Sequence, residues 1–339
     1  MQGLLIGLSL ALAAFVVLGA PHQGPPALLL CAGLAVAAGF FIGRHEGAER
    51  RALLALFVGA LLVRVLVATI IFVFDLQNFF GGDALTYDEL GYTLLRSWRG
   101  ETRAWAVYLE GARDFLGMPY YVAAVYSLVG RNPLAVQLVD AVLGAATAPT
   151  VYLCARRIFN NLRVARLSGL LVAFFPSLVL WSAQGLKDGP IVFLLALAML
   201  ATLRLGEALN VRDFALLFGA LLGLLSLRFY IFYMLLIAVG GAFVIGMRQL
   251  TAQNIMRQVM LVVGMGVALT YWGVLRTAGA QLGQYGTLET VQRSRLDLAQ
   301  SAESGFGKDV DVSTTEGALS IIPLGLVYLL FAPFPWQVA

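Results

Sequence analysis

Charge is what this sequence has least of. Only 12% of its 339 residues are Asp, Glu, Lys or Arg, about half the share found in an ordinary soluble domain. That scarcity excludes a soluble enzyme of the usual kind. With hydrophobic residues at 60% it also excludes a disordered chain, which would be polar and highly charged. Histidine and cysteine are rare too, with two of each. His22 and His45 fall in separate loops, and Cys31 and Cys154 lie inside or at the end of apolar runs. No zinc, redox or disulfide spacing results. There is no GxSxG, no Walker A, no GxGxxG after a strand and no long basic-aromatic stretch for nucleic acid. Internal repeats and low-complexity tracts are missing as well.

Apolar length takes their place. Mean hydropathy is +0.84, and ten apolar runs reach or approach the roughly 20 residues that cross a bilayer. They cover about 3–20, 26–43, 52–74, 133–153, 165–183, 190–206, 213–227, 229–247, 258–277 and 318–335. These predict an all-α polytopic membrane protein of about ten transmembrane helices, with 1–339 as a single membrane domain. The first run does not read as a cleavable signal peptide. It has no basic n-region, and a second run follows Pro21-His22-Gln23-Gly24-Pro25-Pro26.

Met118–Val129 is apolar but only about twelve residues long, which suits a juxtamembrane helix better than a span. Basic residues support that choice. With 118–129 outside the count, Arg44, Arg50, Arg51, Arg156, Arg157, Arg163, Arg166, Arg204, Arg212, Arg248 and Arg257 all fall in short loops of one side or at their edges. The short connections of the other side hold only Lys187 and Arg228. The positive-inside rule then puts the N-terminus in the cytoplasm and two long segments, about 75–132 and 278–317, outside. Fourteen of the 19 acidic residues lie outside by this topology, so chemistry that needs carboxylates belongs to the outer face. The net charge of +4 is accounted for by the inner loops.

Three outer positions could carry chemistry. Gly81-Gly82 breaks the chain after the third run and delivers Asp83 at the membrane surface, either as a helix N-cap or as a functional carboxylate. Asp88 and Glu89 follow one turn on, where solvation is the plainer reading. Trp181-Ser182-Ala183-Gln184-Gly185-Leu186-Lys187-Asp188-Gly189-Pro190 forms a short outer turn. Asp188 there is a possible N-cap and Lys187 a possible snorkelling residue, yet the two charges face the same side as Asp83. Arg228 breaks a long apolar run at the outer surface. Phe229, Tyr230, Phe232 and Tyr233 beside it could be an interfacial aromatic belt, and the cation could instead hold a lipid-linked phosphate. Within the spans, Arg64 and Asp140 are read as a structural ion pair, because an intramembrane charge needs a partner.

The stretches GGDALTYDELGYTLL, MPYYVAAVYSLVGRNPLAVQLVDAVLGAATAPTVYLCARRIFNN, FFPSLVLWSAQGLKDGPIVFLLALAM, LRFYIF and LGLVYLLFAPFPW, in this order and sidedness, resemble the GT-C superfamily of membrane glycosyltransferases. Within it, they resemble in particular the relatives of protein mannosyltransferases and the aminoarabinose transferase, of the glycosyltransferase family 39 kind. The resemblance covers roughly 50–339 and leaves 1–50 as two extra N-terminal helices. It implies an inverting transfer of sugar from a polyprenyl-phosphate donor to a lipid, glycan or protein acceptor on the outer face of a plasma membrane, in a bacterial cell envelope. By position it implies Asp83 as general base and Asp188 as second acid. Lys187, Arg228, Asp88 and Tyr230 would bind substrate. Asp83, Asp88 and Glu89 are not spaced as a DxD pair, so no cofactor is expected to be required and a divalent metal has no motif there. The alternative is a transporter or a non-catalytic subunit that retains the scaffold. Transporters usually place their ionisable groups near mid-membrane, which these acids do not match.

Overall fold

A computed structural model describes residues 2–80, 82–101, 103–105, 117–245, 252–274, 279, 283, 286–301 and 310–331. Among these residues every regular element is a helix. In chain order they are α1 (Gln2–Gly19), α2 (Gly24–Ile42), α3 (Gly47–Val73), α4 (Gln77–Phe80), α5 (Asp83–Trp98), α6 (Met118–Val129), α7 (Pro133–Phe159), α8 (Leu162–Phe174), α9 (Pro176–Trp181), α10 (Asp188–Glu207), α11 (Val211–Leu227), α12 (Phe229–Ile245), α13 (Ala252–Tyr271), α14 (Leu288–Ser301) and α15 (Thr315–Phe331). Among the described residues, five helices are long and apolar enough to cross a membrane alone: α2, α3, α7, α10 and the Asn254–Tyr271 part of α13. α1, α6, α12 and α15 contain shorter apolar helices. The chain is an all-α polytopic membrane protein. Gly81, Arg248, residues 332–335 of the last apolar run and parts of 278–317 lie outside the described residues.

The chain divides into two compact units, Met1–Val262 and Val263–Ala339. In the second, Arg295 Nη1 donates to the Val310 carbonyl at 3.2 Å and Val312 N donates to Gln292 Oε1 at 2.9 Å. These bonds fasten the segment before α15 to α14.

The first unit is organised around α7, which packs against α2, α3, α8 and α10. Small residues explain why α7 can be surrounded. Ala141, Gly144, Ala145 and Ala148 are all buried, and small side chains let neighbouring helices approach where no hydrophobic effect drives them together. A Cβ on Gly144 would stand 2.5 Å from Ser182 Cβ and 2.9 Å from Arg64 Nε, so only glycine fits there. Asn132 starts α7 by accepting from Ala135 N at 3.0 Å, with Pro133 at the first helical position, where a missing N–H costs nothing. Asn160 ends it in the left-handed region at φ 47°. Asn161 then caps α8 by accepting from Arg163 N at 2.8 Å.

The apolar run at 165–183 is not one span. It splits into α8 and α9 at Phe175, whose backbone is extended at φ −64°, ψ 121°. Pro176 is the cause: its ring drives the preceding residue out of the α region and it offers no N–H to the helix. The run across 213–247 breaks at Arg228, as expected, with an extended backbone at φ −152°, ψ 94°. α6 covers the expected Met118–Val129. Its length is about 18 Å at 1.5 Å per residue, well short of a bilayer core. It packs mainly on α5, where Val122 covers Gly91.

Candidate active site

Asp83 is the first residue of α5, and Gly82 holds the cap position with no side-chain cap bond. The capping reading of Asp83 therefore gives way. Its contact is instead with Tyr87, one turn along the same helix, whose hydroxyl donates to Asp83 Oδ2 at 3.4 Å. Asp188 repeats the arrangement. It opens α10, Lys187 holds the cap position, and no side-chain cap bond forms. Its carboxylate faces Arg228 Nη2 at 3.4 Å. Each carboxylate thus sits in the first turn of a helix, where the backbone N–H groups and the macrodipole favour negative charge.

The two helix starts and the Arg228 break meet at one cavity of about 490 Å³, within the range that holds small-molecule ligands. Gly82, Asp83, Asp188 and Arg228 supply polar wall, and Val172, Leu178, Trp181, Leu186 and Val192 supply apolar wall. Arg64, Thr147 and Ser182 add polar groups from inside the spans. Arg64 lies nine residues before the end of α3 at Val73, about 14 Å along the helix at its usual rise. The cavity therefore runs from the helix starts down among the spans.

Lys187 borders this site without lining the cavity. It is half-buried, and its Nζ stands 5.7 Å from the centroid of the Tyr87 ring, a cation–π distance. Burial lowers its ammonium from the usual lysine range, the Arg228 cation lowers it further, and Asp83 and Asp188 oppose both. Buried Tyr87 sees the same charges. Burial and the Asp83 carboxylate push its hydroxyl well above the usual range, and Asp188 adds to this while Arg228 opposes it. The reading of Lys187 as merely snorkelling does not account for these neighbours. Two carboxylates, a guanidinium and an ammonium converge here, an arrangement able to orient a nucleophile and to receive an anionic leaving group.

The other expected site residues are placed elsewhere. Asp88 is held between α5 and α6. Tyr126 Oη donates to its Oδ1 at 2.5 Å, and Arg131 donates to Oδ1 from Nε at 3.3 Å and to Oδ2 from Nη2 at 2.6 Å. Asp88 is therefore not solvated, in contrast to the expectation, because α6 packs over it. Its side chain is 15% exposed, against 66% for Glu89, which keeps the solvated character expected of it. Tyr230 is 47% exposed and leans edge-on against Phe229 at 5.8 Å, away from the cavity lining. Phe232 is fully buried and so leaves the aromatic belt.

Arg64 and Asp140 do not form the expected ion pair. Arg64 donates from Nε to Ser182 Oγ at 2.9 Å, from Nη1 to the Ala60 and Ala173 carbonyls at 3.1 and 2.7 Å, and from Nη2 to the Val172 carbonyl at 3.2 Å. The break at Pro176 explains the choice. It orphans the last carbonyls of α8, and an unpaired carbonyl inside a membrane costs several kcal/mol, so they compete for the guanidinium. Asp140 Oδ1 accepts from Tyr121 Oη at 2.6 Å, and that bond joins α6 to α7.

Sequence reasoning did not single out Tyr87, Trp181 or Ser182. The i, i+4 spacing of Tyr87 from Asp83 was the one signal that could have found it. Ser182 and Trp181 are brought to the cavity by the α8–α9 break. The described residues hold no group of three His, Cys, Asp or Glu side chains placed to bind a metal ion.

Residues 116–272 match the family model described as dolichyl-phosphate-mannose-protein mannosyltransferase, a family of GT-C type. The matched stretch contains Lys187, Asp188 and Arg228, and Asp83 precedes it. No curated protein and no solved structure matches the chain significantly.

Proposed function

We propose that this chain is a membrane glycosyltransferase of the GT-C type, a reading supported by the family match, and that it moves a sugar from a polyprenyl-phosphate donor to an acceptor on the outer face, with inversion. The observation that carries the reading is the convergence of Asp83, Asp188 and Arg228 on one cavity that continues among the spans. Asp83 orients an acceptor hydroxyl or amine and takes its proton. The acceptor atom attacks the anomeric carbon as the bond from that carbon to the phosphate oxygen breaks on the opposite face, and this in-line course inverts the centre. The electron pair leaves with the lipid phosphate, and Arg228 and Lys187 offset its growing charge. Asp188 keeps Arg228 aimed into the cavity. A phosphate is an adequate leaving group, so the scheme needs no acid catalyst and assigns no step to a metal. The apolar cavity wall suits the lipid end of the donor.

The transfer test uses the purified full chain in nanodiscs with polyprenyl-phosphate sugars and a panel of lipid, glycan and peptide acceptors. Product formation by the wild type and its loss in a folded Asp83→Asn variant are expected. Equal turnover by the two would remove Asp83 from the reaction. Sidedness is tested with a cysteine at Arg163, an exposed position in the first turn of α8, in a chain without Cys31 and Cys154. Labelling by an impermeant reagent from inside only is expected, and labelling from outside intact cells would put the cavity on the other face.

A further inference from the structure

We propose that Arg64 is a positioning residue for the cavity, acting through the break between α8 and α9 and through Ser182. A guanidinium is the side chain this place calls for. Its bonds reach three chain segments: Ala60 on its own helix, Val172 and Ala173 at the end of α8, and Ser182 just beyond α9. Pro176 has no N–H to return to the Val172 carbonyl, and the extended Phe175 interrupts the next rung at Ala173. Those two carbonyls carry the negative end of α8, where a cation is favoured.

Ser182 completes the link. It accepts from Arg64 Nε and donates to the Leu178 carbonyl at 2.5 Å, which secures the end of α9. Six residues later the chain reaches Asp188. The intervening turn is buried at Ala183, Gln184 and Leu186, and its Gln184 carbonyl accepts from Gln77 Nε2 at 3.2 Å. Gly189 packs within 3.2 Å of Ser182 Cβ, measured from the position its own Cβ would take. Ser182 therefore touches both ends of the turn that presents Lys187 and Asp188. Arg64 is 1% exposed and holds the inner anchor of that turn with a planar fork. A lysine cannot reproduce this, having a point charge and no fork.

The experiment uses the full chain in nanodiscs with four variants: Arg64→Met, Arg64→Lys, Ser182→Ala and, as control, Thr69→Val. The control removes a hydroxyl that serves only the Val65 carbonyl of α3. Amide hydrogen exchange reads the 175–187 segment, and decaprenyl phosphate is the binding probe. Arg64→Met is expected to raise exchange in 175–187 by about tenfold or more and to weaken probe binding per folded molecule. Ser182→Ala should act in the same direction with a smaller effect, Arg64→Lys should recover only part of the loss, and Thr69→Val should leave both readouts unchanged. Unchanged exchange in a folded Arg64→Met or Ser182→Ala variant would overturn the proposal, as would full rescue by lysine. If Arg64→Met does not fold, Ser182→Ala decides. The binding arm rests on the donor reading above. If the wild type itself ignores decaprenyl phosphate, that reading fails and the exchange arm still decides the role of Arg64.

Discussion

Asp83 and Asp88 stand five residues apart at the start of one helix, in opposite surroundings. Asp88 receives three hydrogen bonds from Tyr126 and Arg131, which occupy most of the lone-pair sites of a carboxylate. Arg131 is drawn further by Glu89 at 2.8 Å. Asp83 receives one long bond from Tyr87 and otherwise faces the cavity. The first carboxylate is committed to joining α5 to α6. The second keeps acceptor capacity for a ligand, as a group meant for chemistry must. Proximity in sequence says nothing about which acid does which; the packing of α6 over Asp88 does.

Substitutions should pull this contrast apart. Asp83→Asn should lower transfer per folded molecule by about 10²–10⁴-fold, the range for loss of a general base, and leave the melting temperature unchanged. Asp88→Asn should do the reverse. It replaces a charged acceptor in a mostly buried network and should cost about 2 kcal/mol of stability, read by thermal or denaturant unfolding, with transfer per folded molecule retained. Lys187→Ala should weaken polyprenyl-phosphate binding by about tenfold, as expected for one lost charge-assisted contact. The pH dependence has a definite sign. Only the ammonium attracts phosphate, and burial lowers its proton affinity below the ordinary 10.5. Affinity should therefore fall as pH rises, beginning below the pH at which an ordinary lysine titrates. Lys187→Arg should abolish that alkaline fall, because a guanidinium stays charged.

Smaller effects belong to the periphery of the Asp88 network. Tyr126→Phe removes one hydroxyl donor and should cost about 1 kcal/mol without touching transfer. Glu89→Gln should change stability by less than about 0.5 kcal/mol, because this carboxylate is solvated and exposed pairs contribute little. A large loss of transfer in either variant would show that α5 and α6 serve the reaction beyond holding their shape.

Much of the fold could be read directly from the apolar runs. The α6 bounds and the break at Arg228 also followed from length and charge alone. The break at Phe175-Pro176 could not be read from hydropathy, because both halves are apolar and only the proline marks it. That one omission led to a second, since Arg64 was paired with Asp140 for lack of any visible alternative. Backbone carbonyls are invisible to pattern reasoning, and here they outcompete a carboxylate. The candidate site was half legible. Asp83, Lys187, Asp188 and Arg228 do converge, but the direct pairing of Asp188 with Arg228 joins residues forty apart and had no sequence signal. Asp88 and Tyr230 were grouped with the site by resemblance, and neither lines the cavity: Asp88 is held by Tyr126 and Arg131, and Tyr230 leans on Phe229.

The central claim is that the cavity bordered by Asp83, Asp188 and Arg228 receives the phosphate end of a polyprenyl donor. The most direct test is photo-crosslinking of the full chain in nanodiscs with a polyprenyl phosphate carrying a diazirine beside the phosphate, followed by peptide mapping. The account predicts labels concentrated on cavity-lining residues such as Trp181, Leu186 and Val192, reduced by excess unlabelled decaprenyl phosphate and by Arg228→Ala. Labels confined to the lipid-facing surfaces of α1 and α2, unaffected by competitor or by Arg228→Ala, would contradict it.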